Sequence, residues 1–406
     1  MKHVWILNHY AQEPGGAGGT RHFSLGRYLP ESGWKATIIA ASTEHPTGRQ
    51  RLDDGESFRL DVHDGVPFLW LRTPPYFGNG TDRIRNMLAY TRAVLKSENL
   101  SRLDPPDVII GSSVHPLAAW AGRRLARRYG VPFVFEVRDL WPQTLIDMGR
   151  LTYRHPLAVA LRWLETSLYR SAQRTIVLLP KAGEYIEPLG IPQEKIVWIP
   201  NGADLDLFVA QEVLTSSDTF TLMYFGAHGG ANGLETVLQA MQIVGGDPAN
   251  ERIVLRLIGD GPLKPSLIAK ARELGLKNVR FEEPVPKNRI PEIAAEADAF
   301  VFNLIDAPVF RYGISSNKLF DFMAAQRPVL FCSASANNPI AETGAGMTIP
   351  PANPAALAAA IVEMASLPAA RRREMGEAGR RYLESNHSMA LLARRLATTL
   401  DECIRA

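Results

Sequence analysis

Lys318 and the three polar residues before it are suited to binding a phosphate group. Ser315, Ser316 and Asn317 precede a short helical pattern, and these residue types favour the start of a helix. Unpaired N–H groups at a helix start attract anions, and Lys318 adds a positive charge beside them. Asp321 follows about one turn later on the same face and can accept hydrogen bonds from sugar hydroxyls. This pattern predicts a site for the diphosphate and ribose of a nucleotide sugar.

Gly16, Gly18 and Gly19 lie in the first of two glycine-rich turns, between the first predicted strand and the first predicted helix. Glycine permits close approach of a ligand to the backbone. The turn lacks the GxGxxG spacing and the later acidic residue of a dinucleotide site, so a dehydrogenase is a distant alternative. We expect the turn to cover the donor phosphates or the transferred sugar. A loop without a ligand is the alternative.

His228, Gly229 and Gly230 form the second turn, which also follows a predicted strand. The helix that begins after this turn offers further free N–H groups. A diphosphate bound between this turn and Lys318 is one interpretation. A plain strand-to-helix connection is the other.

Two polar segments at strand ends in the first half of the chain are candidate sugar contacts. His115 ends GSSVHP, and Arg138, Asp139 and Trp141 lie in EVRDLWP. His115 and Asp139 could hydrogen-bond sugar hydroxyls, and either could handle the proton of an acceptor hydroxyl. A structural role for His115 and a core position for Trp141 are the alternatives.

Short apolar runs alternate with helical patterns along the chain, which predicts parallel sheets covered by helices. The predicted strands are 4–7, 35–40, 66–71, 108–111, 133–137, 174–178, 195–199, 221–225, 253–258, 279–282, 299–302, 328–331 and 347–349. The segment IPNGADLDLF interrupts this rhythm and predicts a domain that ends at residue 205, a second domain over 206–385, and a linker through Asp218. The fold class is therefore α/β, with two Rossmann-like doubly wound domains and a cleft between them.

Composition excludes several classes of protein. The net charge of +3 is too small to indicate a nucleic-acid partner, and two cysteines provide no disulfide framework. No uncharged apolar segment reaches the length of a membrane span, and the N-terminus resembles a strand. We expect a cytoplasmic protein. The basic run Gly122–Arg128 and the helix Arg83–Lys96 indicate either solvated faces or peripheral contact with anionic lipid.

Metal-ligand and nucleophile motifs do not stand out in the sequence. Asp204 and Asp206 have the Asp-x-Asp pattern, but they lie in the interdomain turn, where a solvated loop explains them better. No GxSxG or Walker motif is present. The expected site therefore has no metal and no cofactor, and Lys318 and backbone dipoles must stabilise a leaving diphosphate.

Together these motifs resemble a retaining glycosyltransferase of family 4, which has the two-domain GT-B fold. The resemblance runs nearly end to end, through the first glycine-rich turn and Arg21, EVRDLWP, IPNGAD, FGAHGG, LIGDGP and SNKLFDFMAAQRPVL. The RDLWP element and the second turn resemble the branch that builds O-antigen, capsule and exopolysaccharide. The resemblance also implies that the last helix, 386–406, returns to the first domain.

The Glu-x7-Glu signature of the family is altered in this chain. Its second acid matches Asp321, and its first falls on Gly313. The resemblance implies that the nucleotide lies on the second domain, with its base near Val285 and Pro286 and with Gly259 nearby. It also implies that the acceptor enters from the first domain and that no protein nucleophile is required.

The expected function is transfer of a hexose or N-acetylhexosamine-type sugar from a UDP-linked donor to a lipid-linked saccharide. A sugar-nucleotide 2-epimerase of the same architecture is one alternative. A nucleotide-sugar-binding subunit without catalysis is another, suggested by Gly313 and Asp321.

Overall fold

The chain folds as two α/β units. The computed structural model describes residues 1–14, 19–45, 47–76, 78, 80–208 and 218–405. The first unit comprises Met1–Pro200 and Met389–Ala406, and the second comprises Asn201–Ser388. The divisions expected after residues 205 and 385 therefore shift to Pro200 and Ser388. Most of the expected linker, 209–217, lies outside the described residues.

The first unit is built on an eight-stranded sheet. Its strands are β1 (Lys2–Leu7), β2 (Trp34–Ala41), β3 (Phe58–His63), β4 (Val66–Leu71), β5 (Val108–Ser112), β6 (Phe133–Val137), β7 (Arg174–Val177) and β8 (Ile196–Trp198). Their order is β3-β4-β2-β1-β5-β6-β7-β8, and all neighbours are parallel except β3 and β4. All five residues of β5 and of β6 are buried, as expected of central strands with both faces covered.

The helices of the first unit include the last helix of the chain. They are α1 (Arg21–Tyr28), α2 (Thr81–Leu95), α3 (Ser97–Leu100), α4 (Pro116–Tyr129), α5 (Gln143–Asp147), α6 (Pro156–Ser171), α7 (Gly183–Ile186) and α15 (Met389–Arg405). Leu392, Leu396 and Leu400 of α15 share one buried apolar cluster with Val4 and Ile6 of β1. This spacing of four residues gives α15 one apolar stripe, which seals the first unit.

The antiparallel strand β3 is missing from the predicted strands. Its sequence, FRLDVH, alternates apolar and polar residues instead of forming an apolar run, and none of its residues is fully buried because it lies at the sheet edge. Asp64 and Gly65, both with positive φ, connect it to β4. An Asp-Gly pair between two strands is a hairpin signal, and it could have identified β3.

The second unit contains a six-stranded parallel sheet. Its strands are β9 (Phe220–Phe225), β10 (Ile253–Ile258), β11 (Val279–Glu282), β12 (Ala299–Asn303), β13 (Val329–Cys332) and β14 (Gly346–Ile349). The order is β11-β10-β9-β12-β13-β14. The predicted strands of both units agree with the observed ones within one or two residues. The fold class is confirmed as α/β with two parallel-sheet units.

Seven helices cover the described part of the second unit. They are α8 (Leu234–Gly245), α9 (Lys264–Glu273), α10 (Ile290–Ala294), α11 (Asn317–Ala324), α12 (Pro339–Thr343), α13 (Pro354–Ser366) and α14 (Ala369–Asn386). Phe225 and Phe300 of the sheet pack on Phe322 of α11, with ring centroids 4.7 and 4.4 Å from the Phe322 ring. These ring contacts anchor α11 on the sheet. No helix in the described ranges combines the length and apolarity needed to cross a membrane.

Each sheet reverses its strand order at one point, and ligands of open α/β sheets bind beyond the strand carboxyl ends there. In the first unit the reversal lies between β1 and β5. In the second unit it lies between β9 and β12. The residues that follow these four strands include most of the predicted site.

Candidate functional site

Lys318 lies at the carboxyl edge of the second sheet and is held by neutral partners. Its Nζ donates to the Tyr224 hydroxyl at 2.8 Å and to the side-chain oxygen of Asn232. The same nitrogen lies 4.8 Å from the centre of the Tyr224 ring. Tyr224 belongs to β9, and Asn232 to the turn after it, so the reversal point of the sheet positions the amine.

Burial gives the Lys318 amine an unusual protonation behaviour. Desolvation lowers the pKa of Lys318 to about 7. No Asp or Glu side chain forms an ion pair with it among the residues that the structure describes. A bound anion would favour the charged amine and raise this pKa. The site is therefore suited to a ligand that supplies negative charge.

The start of α11 lies where the sequence indicated, but its N-cap side chain makes no capping hydrogen bond. Ser316 occupies the position before Asn317, and its side chain makes no capping hydrogen bond. The Ser315 hydroxyl instead accepts the backbone N–H of Asn201 at 2.8 Å, and Asn201 Nδ2 donates to the Ser315 carbonyl at 2.6 Å. The helix therefore starts among the three expected residues, with Ser316 at the N-cap position, but Ser316 makes no side-chain cap and the Ser315 hydroxyl is engaged by Asn201. The IPNGAD segment thus holds the loop before Lys318.

His228 is fully buried in the turn that follows β9. Its backbone N–H donates to the Asp260 carbonyl at 2.8 Å. Within the described residues, neither ring nitrogen has a hydrogen-bond partner. Burial lowers the pKa of His228 to about 4, and the nearby Lys264 and Lys318 add to the shift. A buried neutral imidazole without partners is suited to accept a hydrogen bond from, or donate one to, a ligand.

The rest of this turn is shaped by tight backbone contacts. Gly229 precedes a single 3-10 turn over Gly230–Asn232. Gly259, with φ of +142°, directly follows β10, and a Cβ there would lie 2.1 Å from the Gly226 carbonyl oxygen. Only glycine fits at position 259, because any side chain would collide with the turn after β9. The two turns therefore form one continuous backbone surface.

Asn303 ties the turn after β9 to the neighbouring strand. Its side-chain Nδ2 donates to the carbonyls of Asn232 and Gly233, each at 2.9 Å. Asn303 is the last residue of β12 and is buried. Asn303, on the neighbouring strand β12, therefore holds the backbone of Asn232, whose side chain binds Lys318.

Asp321 has a partner that the sequence did not indicate. Its carboxylate forms an ion pair with Lys287, and Asp321 itself is 5% exposed. Lys287 begins the short turn after the segment that contains Val285, which is partly buried against the core. The ion pair thus connects the residue expected to bind ribose with the loop expected to lie near the base.

Gly313 adopts a conformation that other residues avoid. Its φ is +100° and its ψ is −178°, a combination that is essentially restricted to glycine. The glutamate of the family signature therefore does not fit this backbone without a change of conformation. The loop conformation at position 313 is therefore consistent with the glycine found there and not with the acid of the family signature.

In the first unit, a buried network centres on Glu136 at the end of β6. Arg21 Nε donates to Oε1 at 3.0 Å, while His22 Nε2 and the Ser112 hydroxyl donate to Oε2, each at 2.7 Å. Burial would raise the pKa of Glu136, but His22 and Arg21 hold it well below its usual range. Arg21 also donates to the carbonyl of Ile199 at 2.8 Å. The positive charge of Arg21 is therefore neutralised within the unit.

His115 pairs with His9 at the reversal point of the first sheet. The Ala118 N–H donates to Nδ1 of His115 at 3.2 Å, so Nε2 carries the proton and donates to Nδ1 of His9 at 2.7 Å. Burial lowers the pKa of His115 to about 3, and Arg83 adds to the shift. Both ring nitrogens of His115 are thus engaged, and the residue caps α4.

Arg138 and Asp139 follow β6 at the same edge. The Arg138 N–H donates to the Ser113 hydroxyl at 3.0 Å, and a Cβ at Gly19 would lie 3.6 Å from the Arg138 guanidinium. The side chain of Asp139 is exposed. Gly16 and Gly18 lie outside the described residues. The structure therefore places Gly19, Arg138 and Asp139 at the carboxyl edge that also holds His115.

Sequence reasoning missed several polar residues of these two edges. They are Tyr224, Asn232, Lys287 and Asn303 in the second unit and His9 and Arg83 in the first. Arg83 Nε donates to the Tyr10 hydroxyl at 2.9 Å. His9 follows β1 directly, a position that could have drawn attention to it. In the described ranges, no group of three or more His, Cys, Asp or Glu side chains is placed to hold a metal ion.

Two family models match the chain, one in each unit. The Glycosyl transferase 4-like domain matches residues 16–202, and Glycosyl transferases group 1 matches residues 219–366. Together the matches span most of the chain. The chain belongs to the family 4 glycosyltransferases, with the GT-B fold.

This glycosyltransferase is similar in sequence to two bacterial proteins that are themselves named as glycosyltransferases. It is 27% identical over 333 residues to the probable glycosyltransferase WbjE of Pseudomonas aeruginosa. This alignment covers 79% of this chain and 80% of WbjE. It is 23% identical over 272 residues to WcaI of Escherichia coli K12, a putative colanic acid biosynthesis glycosyl transferase. This alignment covers 63% of this chain and 65% of WcaI.

A solved structure with the same fold is HepE of Anabaena, in complex with UDP and glucose. Its TM-score is 0.69 at 14% identity, over 99% of this chain and all of HepE. A sequence identity of 14% supports a shared fold and no shared substrate, so this similarity concerns only the architecture of the glycosyltransferase.

Proposed function

We propose that this glycosyltransferase moves a hexose or N-acetylhexosamine-type sugar, with retention, from a UDP-linked donor to a lipid-linked saccharide. The acceptor belongs to the synthesis of a surface polysaccharide, at the inner face of the membrane. The observation that carries the proposal is Lys318, whose hydrogen-bond partners among the described residues are neutral and which lies beside a helix start without a side-chain cap. WcaI, named for colanic acid synthesis, and HepE, seen with UDP and glucose, support it.

The donor contacts of this proposal lie in the second unit. The diphosphate binds to Lys318, to the first N–H groups of α11 beside Ser316 and Asn317, and to the turn that contains His228. Because Ser316 does not cap the helix, these N–H groups can bond a ligand.

The nucleoside part of the donor extends from the diphosphate towards Asp321. The ribose hydroxyls donate to Asp321, which keeps its ion pair with Lys287. The base lies against the loop that contains Val285, beside the backbone surface formed by Gly259. The ion pair between Lys287 and Asp321 connects Asp321 with the loop that contains Val285, so the ribose and the base would contact neighbouring parts of one surface.

The acceptor contacts of this proposal lie at the carboxyl edge of the first unit. Exposed Asp139 accepts a hydrogen bond from the acceptor hydroxyl, and Arg138 and Gly19 line the same edge. His115 has both ring nitrogens engaged, so it shapes this edge as a neutral group and leaves proton transfer to others.

The proposed reaction needs no protein nucleophile. The bond between the sugar anomeric carbon and the diphosphate oxygen breaks as the acceptor oxygen bonds to the same carbon on the same face. The acceptor proton passes to the leaving diphosphate. Lys318 and the α11 N–H groups stabilise the charge that develops on that group, so the scheme assigns no step to a metal.

Donor binding is the first test. UDP-glucose, UDP-N-acetylglucosamine and GDP-mannose are added separately, and the melting temperature is recorded. A donor at about 100 times its dissociation constant adds roughly 2.7 kcal/mol of stability. We expect a shift with a UDP-linked sugar, and no shift with any nucleotide sugar would refute the proposal.

Transfer is the second test. A radiolabelled UDP-sugar is incubated with the enzyme, with and without a bacterial lipid extract. Labelled lipid that forms only with the extract is the expected result. A changed nucleotide sugar without any acceptor would indicate the 2-epimerase instead.

A nucleotide-sugar-binding subunit without transfer is a second candidate, and Gly313 favours it. The backbone there excludes the first acid of the family signature. Such a subunit would bind the UDP-sugar but would neither transfer nor hydrolyse it. The transfer test separates the two candidates, because binding alone is common to both.

A further inference from the structure

A buried carboxyl group on α6 has no part in the reaction proposed above. Glu165 is 2% exposed and lies on the face of α6 that packs into the first unit, together with Leu168 and Tyr169. The Tyr169 hydroxyl lies 2.9 Å from Oε1 of Glu165, and the Tyr185 hydroxyl of α7 lies 2.7 Å from Oε2. Helices α6 and α7 therefore meet at this carboxyl group.

Burial keeps Glu165 protonated at neutral pH. Desolvation raises the pKa of Glu165 to about 8. The two tyrosine hydroxyls, the charge of Arg162 and the backbone of Trp141 oppose this shift without cancelling it. Helix α4 also packs on α6, but its Arg123 donates to the Ser167 hydroxyl at 2.6 Å. The Glu165 carboxyl group can therefore donate a hydrogen bond as well as accept one.

The Tyr185 hydroxyl lies between Glu165 and the RDLWP segment. Its oxygen is 3.4 Å from the carbonyl oxygen of Trp141 and 2.7 Å from Oε2 of Glu165. A phenolic hydroxyl has one hydrogen to donate. An ionised Glu165 takes this hydrogen, because hydrogen bonds to a charged acceptor are the stronger ones. A protonated Glu165 instead donates to the phenolic oxygen, which leaves the Tyr185 hydrogen for the Trp141 carbonyl.

Trp141 is connected to the carboxyl edge of the first sheet. Its indole Nε1 donates to the Ser113 carbonyl at 3.2 Å, and the Ser113 hydroxyl accepts the backbone N–H of Arg138 at 3.0 Å. Asp139, the proposed contact of the acceptor hydroxyl, directly follows Arg138. A hydrogen bond that holds the Trp141 backbone therefore also holds the segment that carries Asp139.

We propose that protonated Glu165 is a positioning residue for acceptor binding, because it leaves the Tyr185 hydroxyl to hold the Trp141 carbonyl. Loss of the proton to solvent turns the Tyr185 hydrogen towards Glu165 and releases that carbonyl. The proposal rests on the proposed function, since it takes Asp139 as the acceptor contact. A purely structural Glu165 would affect stability without linking acceptor binding to pH.

The first test measures sugar transfer by the full chain at several pH values, with saturating UDP-sugar. The quantity compared is the amount of bacterial lipid extract that gives half of the maximal rate. We expect this amount to rise roughly five-fold as the pH passes about 8, from the loss of one hydrogen bond. The maximal rate should change less, because the proposed role lies in binding.

Three variants separate the two tyrosines. Glu165→Gln imitates the protonated acid, since its amide can accept from Tyr169 and donate to Tyr185, so the half-saturating amount should stay low at every pH. Tyr185→Phe removes the hydroxyl beside Trp141, and the amount should be high at every pH. Tyr169→Phe is the matched control. It should keep the step and move it to higher pH, because the Tyr169 hydroxyl favours the ionised Glu165.

The second test needs no transfer activity. The chain is labelled with 15N-tryptophan, and the indole N–H signal of Trp141 is identified by its loss in Trp141→Phe. This signal should shift with a midpoint near about pH 8 in the parent chain, but not in Glu165→Gln or Tyr185→Phe. The indole signals of the other tryptophans show whether each variant is folded. A titrating Trp141 signal in a chain that transfers no sugar would refute the proposed function and leave the link from Glu165 to Trp141 in place.

Two outcomes would overturn the positioning role. One is a half-saturating amount of extract that rises with pH equally in the parent chain and in Glu165→Gln, which would assign the pH dependence to another group. The other is a Trp141 signal that does not titrate in the parent chain, or that titrates unchanged in Tyr185→Phe. Either result would show that the Tyr185 hydroxyl does not connect Glu165 to the RDLWP segment.

Discussion

The carboxyl edges of the two sheets both contain a buried cation, but only one of these cations is neutralised by the protein. Arg21 of the first unit is paired with Glu136, and it also donates to the backbone carbonyl of Ile199. Lys318 of the second unit contacts a tyrosine hydroxyl and an amide oxygen. The two sheets have similar topology, but the charge of Arg21 is neutralised by a carboxylate of the protein, whereas the charge of Lys318 would be neutralised by a bound anion.

This difference predicts a structural role for Arg21 and a ligand-binding role for Lys318. A buried charge that is paired within the protein stabilises the fold that holds it, and removing its partner is costly. A buried amine with neutral partners shifts its pKa instead, as Lys318 does. Substitutions in the Glu136 network should therefore lower the stability of the fold, whereas substitution of Lys318 should lower the affinity for ligand.

Glu136→Gln should produce the largest effect. It removes the carboxylate that pairs with the buried Arg21, and breaking a buried pair in this way costs about 3–5 kcal/mol. Chemical denaturation followed by circular dichroism would measure the loss. Ser112→Ala, which removes one neutral donor to Glu136, should cost only about 1 kcal/mol. Equal stability of Glu136→Gln and the parent chain would contradict a structural role for this network.

Lys318→Met should weaken UDP-glucose binding with little loss of stability. A hydrogen bond to a charged group contributes about 2 kcal/mol, which corresponds to roughly 30-fold in affinity. Isothermal titration calorimetry measures the change. Lys318→Arg, which keeps the charge, is the matched control and should lose less affinity. A Lys318→Met protein that binds UDP-glucose like the parent would remove Lys318 from the donor site.

Gly313→Ala should destabilise the second unit by about 1–2 kcal/mol, because alanine at this positive φ is strained. Thermal denaturation would detect the change. Gly80→Ala in the first unit is the control, since its φ is −81° and a Cβ there meets no atom within 4 Å. If both variants melt alike, the unusual backbone at Gly313 is not required.

The affinity for UDP-glucose should fall as the pH rises. The pKa of Lys318 is about 7 in the free protein, and a bound diphosphate raises it, so binding takes up a proton. Between about pH 7 and about pH 8 the dissociation constant should therefore increase roughly five-fold. Calorimetry at several pH values, with Lys318→Arg as a control of constant charge, tests this sign. Tighter binding at the higher pH would exclude proton uptake by Lys318.

His115→Asn should have the smallest effect. Asparagine can still cap α4, and the lost bond to His9 costs about 0.5–1 kcal/mol. Because we assign His115 no proton transfer, the rate of sugar transfer should fall less than tenfold. A fall of about 100-fold or more would show that His115 is a general acid or base.

Much of the fold could be predicted because central parallel strands are buried on both faces. Strands such as β5, β6 and β12 therefore appear as short apolar runs with clear ends. The edge strand β3 escaped prediction because its side chains are only partly buried and no apolar run marks it. Burial, not strand propensity, made the difference.

The candidate site was predicted unevenly for a similar reason. Lys318 and its helix start are local features, which three successive residue types suffice to indicate. The partners of Lys318 are remote, since Tyr224 and Asn232 lie 94 and 86 residues away along the chain. The sequence indicated the start of this helix, but it could not show that Asn201 binds the Ser315 hydroxyl or that Ser316 makes no side-chain cap.

The order of motifs in the sequence alone determined the family, the two-unit α/β architecture and the lysine at a helix start. Periodicity, turn residues and motif order are written along the chain, so they need no knowledge of distant contacts. Only the tertiary structure decided that Arg21 is neutralised by Glu136 while Lys318 has neutral partners. Charge balance in a buried site depends on which side chains the strand ends bring together, and that depends on sheet order rather than on any short segment.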